Sequence, residues 1–336
     1  MPERRYALSV PLDGYALAEH RDLVQEAERL GYSDAWSSEV DGLDIFTPVA
    51  TVAAHTNMRV GTAIANVYSR GPAALAQSAA GMSELSDGRF VFGIGSGSAT
   101  TVETWNSIQF TKPVTRVREM VSFLRQVFGG ERVTFDGSTF QVGGFRLSRP
   151  PAHPIPIHVA ALREGMLRVA GEIADGCIIN WLSAEDAKTS VRIVREAAEA
   201  AGRNPDDVEI TARLMVMLDP DTDESGVFMR RVINGYLNVP VYRAFHEWLG
   251  RGPAMQATWD AWDAGDRRGA VSVMPQKVVD DLMLHGTAAE RREHISRYLD
   301  AGVNTVFLQM YTAEQDPARK REVIAQGMRE MAPAAY

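Results

Sequence analysis

One cysteine, Cys177, stands alone in 336 residues. A single thiol excludes an intrachain disulfide and a cysteine-rich metal site. The seven histidines fall at no metal-ligand spacing: His153 and His158 flank a proline-rich approach to a strand, and no His-Glu-x-x-His occurs. No metal is expected. No apolar run approaches the roughly 18 residues of a membrane span. No apolar core follows Met1-Pro2-Glu3-Arg4-Arg5, so a secretory signal is not expected and a cytoplasmic location is. Basic charge is also short. Lys and Arg number 35 against 43 Asp and Glu, a net charge of −8, which argues against nucleic acid as the main partner. Apolar residues make up 45% and charged residues 23%, enough for a core and too apolar for a disordered chain.

Short apolar runs alternate with longer amphipathic ones. Strands are predicted at residues 6–10, 35–38, 59–65, 89–94, 155–159, 177–179, 209–218 and 305–309. Helices are predicted between them, at about 17–30, 46–55, 72–85, 115–128, 164–174, 184–201 and 288–301, with a helical tail. Helix, glycine and buried strand follow one another at Leu30-Gly31-Tyr32, Asp175-Gly176-Cys177 and Ala301-Gly302-Val303. Eight βα units predict one α/β domain over residues 1–336, a (β/α)8 barrel; periodicity alone leaves an open doubly wound sheet as the alternative. Two stretches interrupt the count. Residues 131–150 read as a β-hairpin turning at Asp136-Gly137. Residues 219–286 show no clear strand and carry Tyr236, Tyr242, Phe245, Trp248, Trp259 and Trp262. That helical insertion after the seventh strand is expected as a lid or pocket wall, or as a helical subdomain or dimer face.

The strongest chemical signal is Phe92-Gly93-Ile94-Gly95-Ser96-Gly97-Ser98, directly after a buried strand. Glycines let backbone N–H groups approach an anion, and serine hydroxyls add donors, so the run suits a phosphate. It also reads as a plain tight turn. It is not the dinucleotide fingerprint, because Thr100 stands where the third glycine belongs. Nor is Ser96 a nucleophile elbow, since Ile94 occupies that motif's first glycine. Other polar and aromatic residues fall just past strand ends, where a barrel presents side chains to a ligand: Ser37 and Glu39, Asn66 and Tyr68, and Asn180 with Trp181. Each has a plainer reading, as a solvated loop residue or as packing.

The runs Gly61-Thr62-Ala63-Ile64-Ala65-Asn66, Arg70-Gly71-Pro72, Leu85 to Gly97 and Ala170-Gly171-Glu172-Ile173-Ala174-Asp175-Gly176 resemble the bacterial luciferase-like superfamily. Within it the chain looks most similar to the coenzyme F420-dependent oxidoreductases. The resemblance covers most of the chain and implies a barrel that holds its cofactor, F420 or alternatively FMN, at the C-terminal face. It implies that Gly95, Ser96, Gly97 and Ser98 form the phosphate loop. A second phosphate contact is implied at Ala161, Leu162, Arg163, Glu164 and Gly165, at a helix N-terminus. The family's non-proline cis peptide, behind the deazaflavin ring, falls at Ala63-Ile64. Glu39 takes the place of a family Asp that contacts the cofactor, and Asn66 that of a polar ring contact.

The chain also departs from the pattern. In the family's sugar-phosphate dehydrogenases a His follows that Asp and an acid closes the glycine loop; Val40 and Ser98 stand there here. Sugar-phosphate oxidation is therefore disfavoured, and reduction of a C=C or C=N bond, or another small-molecule redox step, fits better. Such hydride transfer needs a proton donor or acceptor, for which Glu39, Tyr68, Glu103 and His285 are the candidates. The competing reading is a luciferase-like monooxygenase using reduced FMN and O2. A homodimer is expected from the resemblance. Gly97→Asp is expected to abolish cofactor binding by placing a carboxylate beside the phosphate; unchanged affinity in a titration would move the phosphate site elsewhere.

Overall fold

A computed structural model describes residues 3–333. Eight parallel strands close on themselves: β1 (Arg5–Val10), β2 (Asp34–Ser37), β3 (Arg59–Thr62), β4 (Phe90–Gly95), β5 (Ile157–Ala160), β6 (Gly176–Asn180), β7 (Glu209–Met217) and β8 (Thr305–Tyr311). Each pairs with the next in the chain, and β8 pairs with β1, Arg5 opposite Thr305. This is the (β/α)8 barrel. No helix among the described residues is long and apolar enough to cross a membrane.

Helices cover the outside: α1 (His20–Arg29), α2 (Phe46–His55), α3 (Pro72–Leu85), α4 (Pro113–Phe128), α5 (Glu164–Ile173), α6 (Ala184–Ala200), then α12 (Ala288–Asp300) and α13 (Pro317–Glu330) after an insertion. The strand sequences explain the two-sided burial. On β7, Ile210, Ala212, Leu214 and Val216 join the core under the helices, while Glu209, Thr211 and Arg213 alternate with them and face inward. The recurring helix–glycine–strand joint has two physical causes. Gly31 and Gly302 have φ of +94° and +98°, the left-handed region that ends a helix without Cβ strain. Gly176 instead makes room, because a Cβ there would lie 2.5 Å from the His158 ring.

Two expectations change. The strand predicted over 59–65 is divided: β3 stops at Thr62, the Ala63–Ile64 peptide is cis, and Ala65–Asn66 then pairs with β4. The stretch 219–286 contains helices α7 (Asp223–Leu237), α8 (Pro240–Trp248), α9 (Gly252–Asp263), α10 (Arg267–Ser272) and α11 (Gln276–Leu282), but also a two-residue strand, Met283–Leu284, that adds to β7. A pair so short leaves no periodicity to read. The predicted hairpin is present as Val133–Asp136 and Gln141–Phe145.

The barrel interior is stacked. Its middle is Ala7, Trp36, Val91, Ile178 and Phe307. Trp36 fits because Gly61 beside it has no side chain; a Cβ there would lie 2.6 Å from the indole. Below sits a charged floor. Arg59 donates through Nη1 and Nη2 to Glu209 at 2.8 and 2.6 Å and through Nε to Asp34. Arg5 Nε reaches Asp34 at 2.8 Å, and the Thr305 hydroxyl donates to Glu209. Asp34 is fully buried, so these bonds replace its hydration.

The floor dictates acid sensitivity. The Glu209 carboxyl is held down at about 2 by the Arg59 hydrogen bonds against the opposing effect of burial. Burial lowers His158 to about 4, leaving it neutral, and does the same to His246 (about 3) and His294 (about 4). Below about pH 6.5 the unfolded chain takes up protons these native imidazoles refuse, so stability falls as pH drops from about 6.5 to 4, by on the order of 3 kcal/mol for His158 alone. The Glu209 contribution is present above about 4.5 and disappears towards pH 2. Thermal melts across pH 7 to 4 should show a steady decline in Tm. Glu209→Gln, which leaves Arg59 half-paired, should destabilise by about 2–3 kcal/mol at pH 7 in urea titrations. A flat pH profile would show that these groups stay hydrated.

Candidate active site

Above the apolar layer, the C-terminal strand ends form a mouth with two unlike halves. One half, from β3 to β5, is small and apolar: Ala63, Ile64, Gly95 and Ala160. A Cβ on Gly95 would lie 3.0 Å from Ile64 and 3.2 Å from Ala160, so glycine keeps this shelf flat. The chain then turns at Gly97, with φ of +65°. Here a Cβ would lie 2.3 Å from Asn66 Nδ2. Asn66 is buried, its Oδ1 accepting the Tyr68 and Ser69 N–H groups at 2.7 and 3.3 Å, while Nδ2 has no partner. An unsatisfied buried donor beside a glycine turn calls for an acceptor from outside the chain.

Ser98 is partly spoken for. Its Oγ accepts the Thr101 N–H at 3.2 Å, opening a π-helical turn over Thr100–Thr104. On the adjacent strand, β5 leads through Ala161 and Leu162 to Arg163, Glu164 and Gly165, where α5 begins with no side-chain cap. Its first N–H groups are open, and the helix dipole adds to their preference for an anion. The glycine loop and this helix start leave neighbouring strands at the same end.

The other half is polar and closes β6, β7, β8 and β1. Arg213 Nη2 donates to Gln309 Oε1 at 3.0 Å, and the Ser9 hydroxyl donates to the same oxygen at 2.7 Å. Asn180 Nδ2 donates to the Tyr242 hydroxyl of α8 at 3.3 Å. Trp181 packs on Tyr236 with ring centroids 4.6 Å apart, and Tyr236 meets Tyr242 edge-on. The insertion therefore touches the barrel rim and also has a core of its own. Tyr236 and Tyr242 reach the rim, whereas Trp259 is buried in the insertion's own core and donates to the Leu237 carbonyl.

The residues read from sequence scatter in role. Both Glu39 oxygens are held by Arg70, at 2.6 and 2.5 Å, and the Arg70 guanidinium lies over Phe46. The Ser37 hydroxyl donates to the Ile45 carbonyl. Tyr68 is buried, its hydroxyl donating to the Thr111 carbonyl at 2.6 Å, with Phe110 and Arg116 against its ring. Glu103 is exposed and accepts the Phe110 N–H. His285 lies between Asp221 and Asp280, lining a cavity of about 1000 Å³ formed chiefly by α7 and α10, whose lining includes none of the glycine loop. Three mouth residues went unread: Ser9, Arg213 and Gln309. Arg213 carried a signal, a lone charge at an inward position of an apolar strand; Ser9 and Gln309 carried none.

The sequence profile of the luciferase-like monooxygenase family matches residues 6–305. The 5,10-methylenetetrahydromethanopterin reductase of Methanolobus tindarius is 27% identical over 288 residues, 83% of this chain and 86% of that protein. An F420-dependent glucose-6-phosphate dehydrogenase of Kineococcus radiotolerans is 32% identical over 219 residues, 60% of this chain and 64% of that protein. Among solved structures, an F420-dependent secondary alcohol dehydrogenase in complex with an F420-acetone adduct superposes with a TM-score of 0.78 at 18% identity, covering 99% of both chains.

The Glu39–Arg70 pair is a measurable element of this rim. Side-chain exposures of 18% and 23% shield it from full solvent screening. A double-mutant cycle of Glu39→Gln and Arg70→Gln should give a coupling of about 1–2 kcal/mol in urea unfolding. Coupling near zero would release Glu39 from Arg70 and restore it as a free acid at the mouth.

Proposed function

The chain belongs to the luciferase-like monooxygenase family, and within it we propose a coenzyme F420-dependent oxidoreductase that transfers a hydride between the deazaflavin and a small organic substrate. The observation that carries this reading is the shelf and its edge: a flat apolar surface of Ala63, Ile64, Gly95 and Ala160, bordered by Gly97 and the unpartnered Asn66 amide. The shelf suits one face of a planar ring. The Gly97–Ser98 turn and the uncapped start of α5 suit the phosphate of the same molecule. The residues present thus fit the group. When bound, F420 supplies a ring carbon that gives or accepts a hydride.

The chain's part is placement. Ala63, Ile64 and Ala160 back one ring face, Asn66 Nδ2 supplies a hydrogen bond to a polar ring atom, and the opposite face is left to the substrate beneath Tyr236 and Tyr242. Glu39 and Arg70, locked to each other, brace the rim between β2 and β3. Fixed this way, Glu39 acts as a positioning residue rather than as the proton donor. Tyr68 likewise spends its hydroxyl on a backbone carbonyl.

Sugar phosphate remains a poor fit. Val40 is exposed and cannot replace an imidazole, and Ser98 caps its own turn instead of presenting an acid. Reduction of activated C=C or C=N bonds, or ketone and alcohol interconversion, suits the mouth better. A homodimer belongs to the same reading. On α2 and α3, Ala53, Ala76, Ala79 and Ala80 are turned into the fold, but Ala54 and Ala74 are exposed and leave a small-residue face for close packing.

Titration of the purified protein with F420 and with FMN, oxidised and reduced, followed by fluorescence, tests the proposal. Micromolar F420 binding with FMN at least tenfold weaker is expected. Selective binding of reduced FMN would overturn it and make the chain an oxygen-using flavin enzyme.

A further inference from the structure

Arg213 is a buried cation without a counter-ion. It is 8% exposed, on the inward face of β7, in register with Asn180 of β6 and Phe307 of β8. Its hydrogen bond to Gln309 Oε1 is shared with the Ser9 hydroxyl, its Nε has no partner, and its Cζ stands 5.8 Å from the Phe307 ring centroid. Other arginines withdrawn from solvent in the same chain are paired. Arg59 has Asp34 and Glu209, Arg251 has Asp186 and Asp281, and Arg291 has Glu330. Among the described residues no carboxylate pairs with Arg213.

A guanidinium removed from water and left unpaired is strongly unfavourable. Retaining one at the mouth of a binding site makes sense when a ligand brings the negative charge. The surroundings describe that ligand. Tyr242 meets Asn180, which is in register with Arg213, and Tyr311 lies two residues beyond Gln309 on the same face of β8, so two phenol rings border this half of the mouth. Asn180, from the strand beside it, presents an amide to the same half of the mouth. This half lies across the barrel from the apolar shelf assigned to the cofactor ring, so the group Arg213 faces is on the substrate side.

Resting on the hydride-transfer reading above, we propose that the substrate is a small unsaturated or aromatic carboxylate. Its carboxylate is bound by Arg213, with Ser9, Gln309 and Asn180 as supporting polar contacts and Tyr242 and Tyr311 as walls. A guanidinium fork matches two carboxylate oxygens in one plane, a recognition that a neutral amide of the same shape cannot satisfy.

Benzoate and benzamide are the probes. Calorimetry on the purified protein, with and without saturating F420, should show benzoate binding at least about tenfold more tightly than benzamide. Arg213→Gln should abolish that preference while leaving F420 affinity at the wild-type value, and Arg213→Lys should keep part of it. Arg213→Met, which keeps an unbranched stem without the charge, serves as the second variant if Arg213→Gln melts early; it too should lose the benzoate preference. Equal binding of the two probes to the wild type, or a preference surviving in a folded Arg213→Gln, would overturn the proposal. A fall in F420 affinity in Arg213→Gln, with the benzoate preference intact, would assign the guanidinium to the cofactor instead. F420 binding measured alone separates a failure of the substrate assignment from a failure of the hydride-transfer reading.

Discussion

The guanidinium of Arg59 spans the floor of the barrel, joining Asp34 of β2 to Glu209 of β7 through its Nε, Nη1 and Nη2. Strands on opposite sides of a closed sheet cannot hydrogen-bond to each other, so something in the interior must fix their separation. Here a planar cation does it, and Arg5 and Thr305 complete the ring. The apolar layer of Trp36 and Phe307 stands on that floor, and the mouth stands on the apolar layer. The height of the shelf at Ala63, Ile64 and Ala160 is thus set from below. Arginine is suited to this because it stays charged and presents a rigid fork, where lysine would offer a single mobile ammonium.

The middle layer works by contrast in size. Trp36 occupies the barrel because Gly61 yields the space, and the same economy of side chains recurs upward along β4, where Gly95 keeps the shelf flat. Large residues placed on β2 and β8, and small ones on β3 to β5, make the interior lopsided. On the reading proposed above, a ring-shaped cofactor laid on the small side fills what the chain leaves unfilled. The polar residues Ser9, Asn180, Arg213 and Gln309 collect on the far side, where the proposed substrate would meet the ring.

Much of this was legible in the order of residues. Alternation of buried strands with amphipathic helices gave the eight units, and the glycine run after Phe92 falls at the C-terminal end of β4, where the mouth lies. Pattern failed where the relevant contacts are long in sequence and single in number. Glu39 sits at a strand end, where a free acid does chemistry, but its pairing with Arg70, 31 positions away, changes what it can do. Tyr68 and His285 follow the same logic, each looking available until its partner in another segment is seen. Ser9 and Gln309, 300 positions apart, are unremarkable alone and become a site only because β8 closes against β1.

Asn66 serves two elements at once. Its carbonyl oxygen closes the turn that carries Tyr68, and its amide nitrogen points at Gly97 with nothing to donate to. One side chain therefore ends the divided strand and faces the glycine loop. Any residue other than glycine at 97 must push that amide aside before it meets a ligand at all. The effect of Gly97→Asp is then steric as well as electrostatic, and Gly97→Ala separates the two: it brings the clash and the unfavourable left-handed backbone without the charge. If alanine weakens binding as much as aspartate does, the loop acts by holding Asn66 in place. If aspartate is far worse, the loop acts by meeting the anion directly.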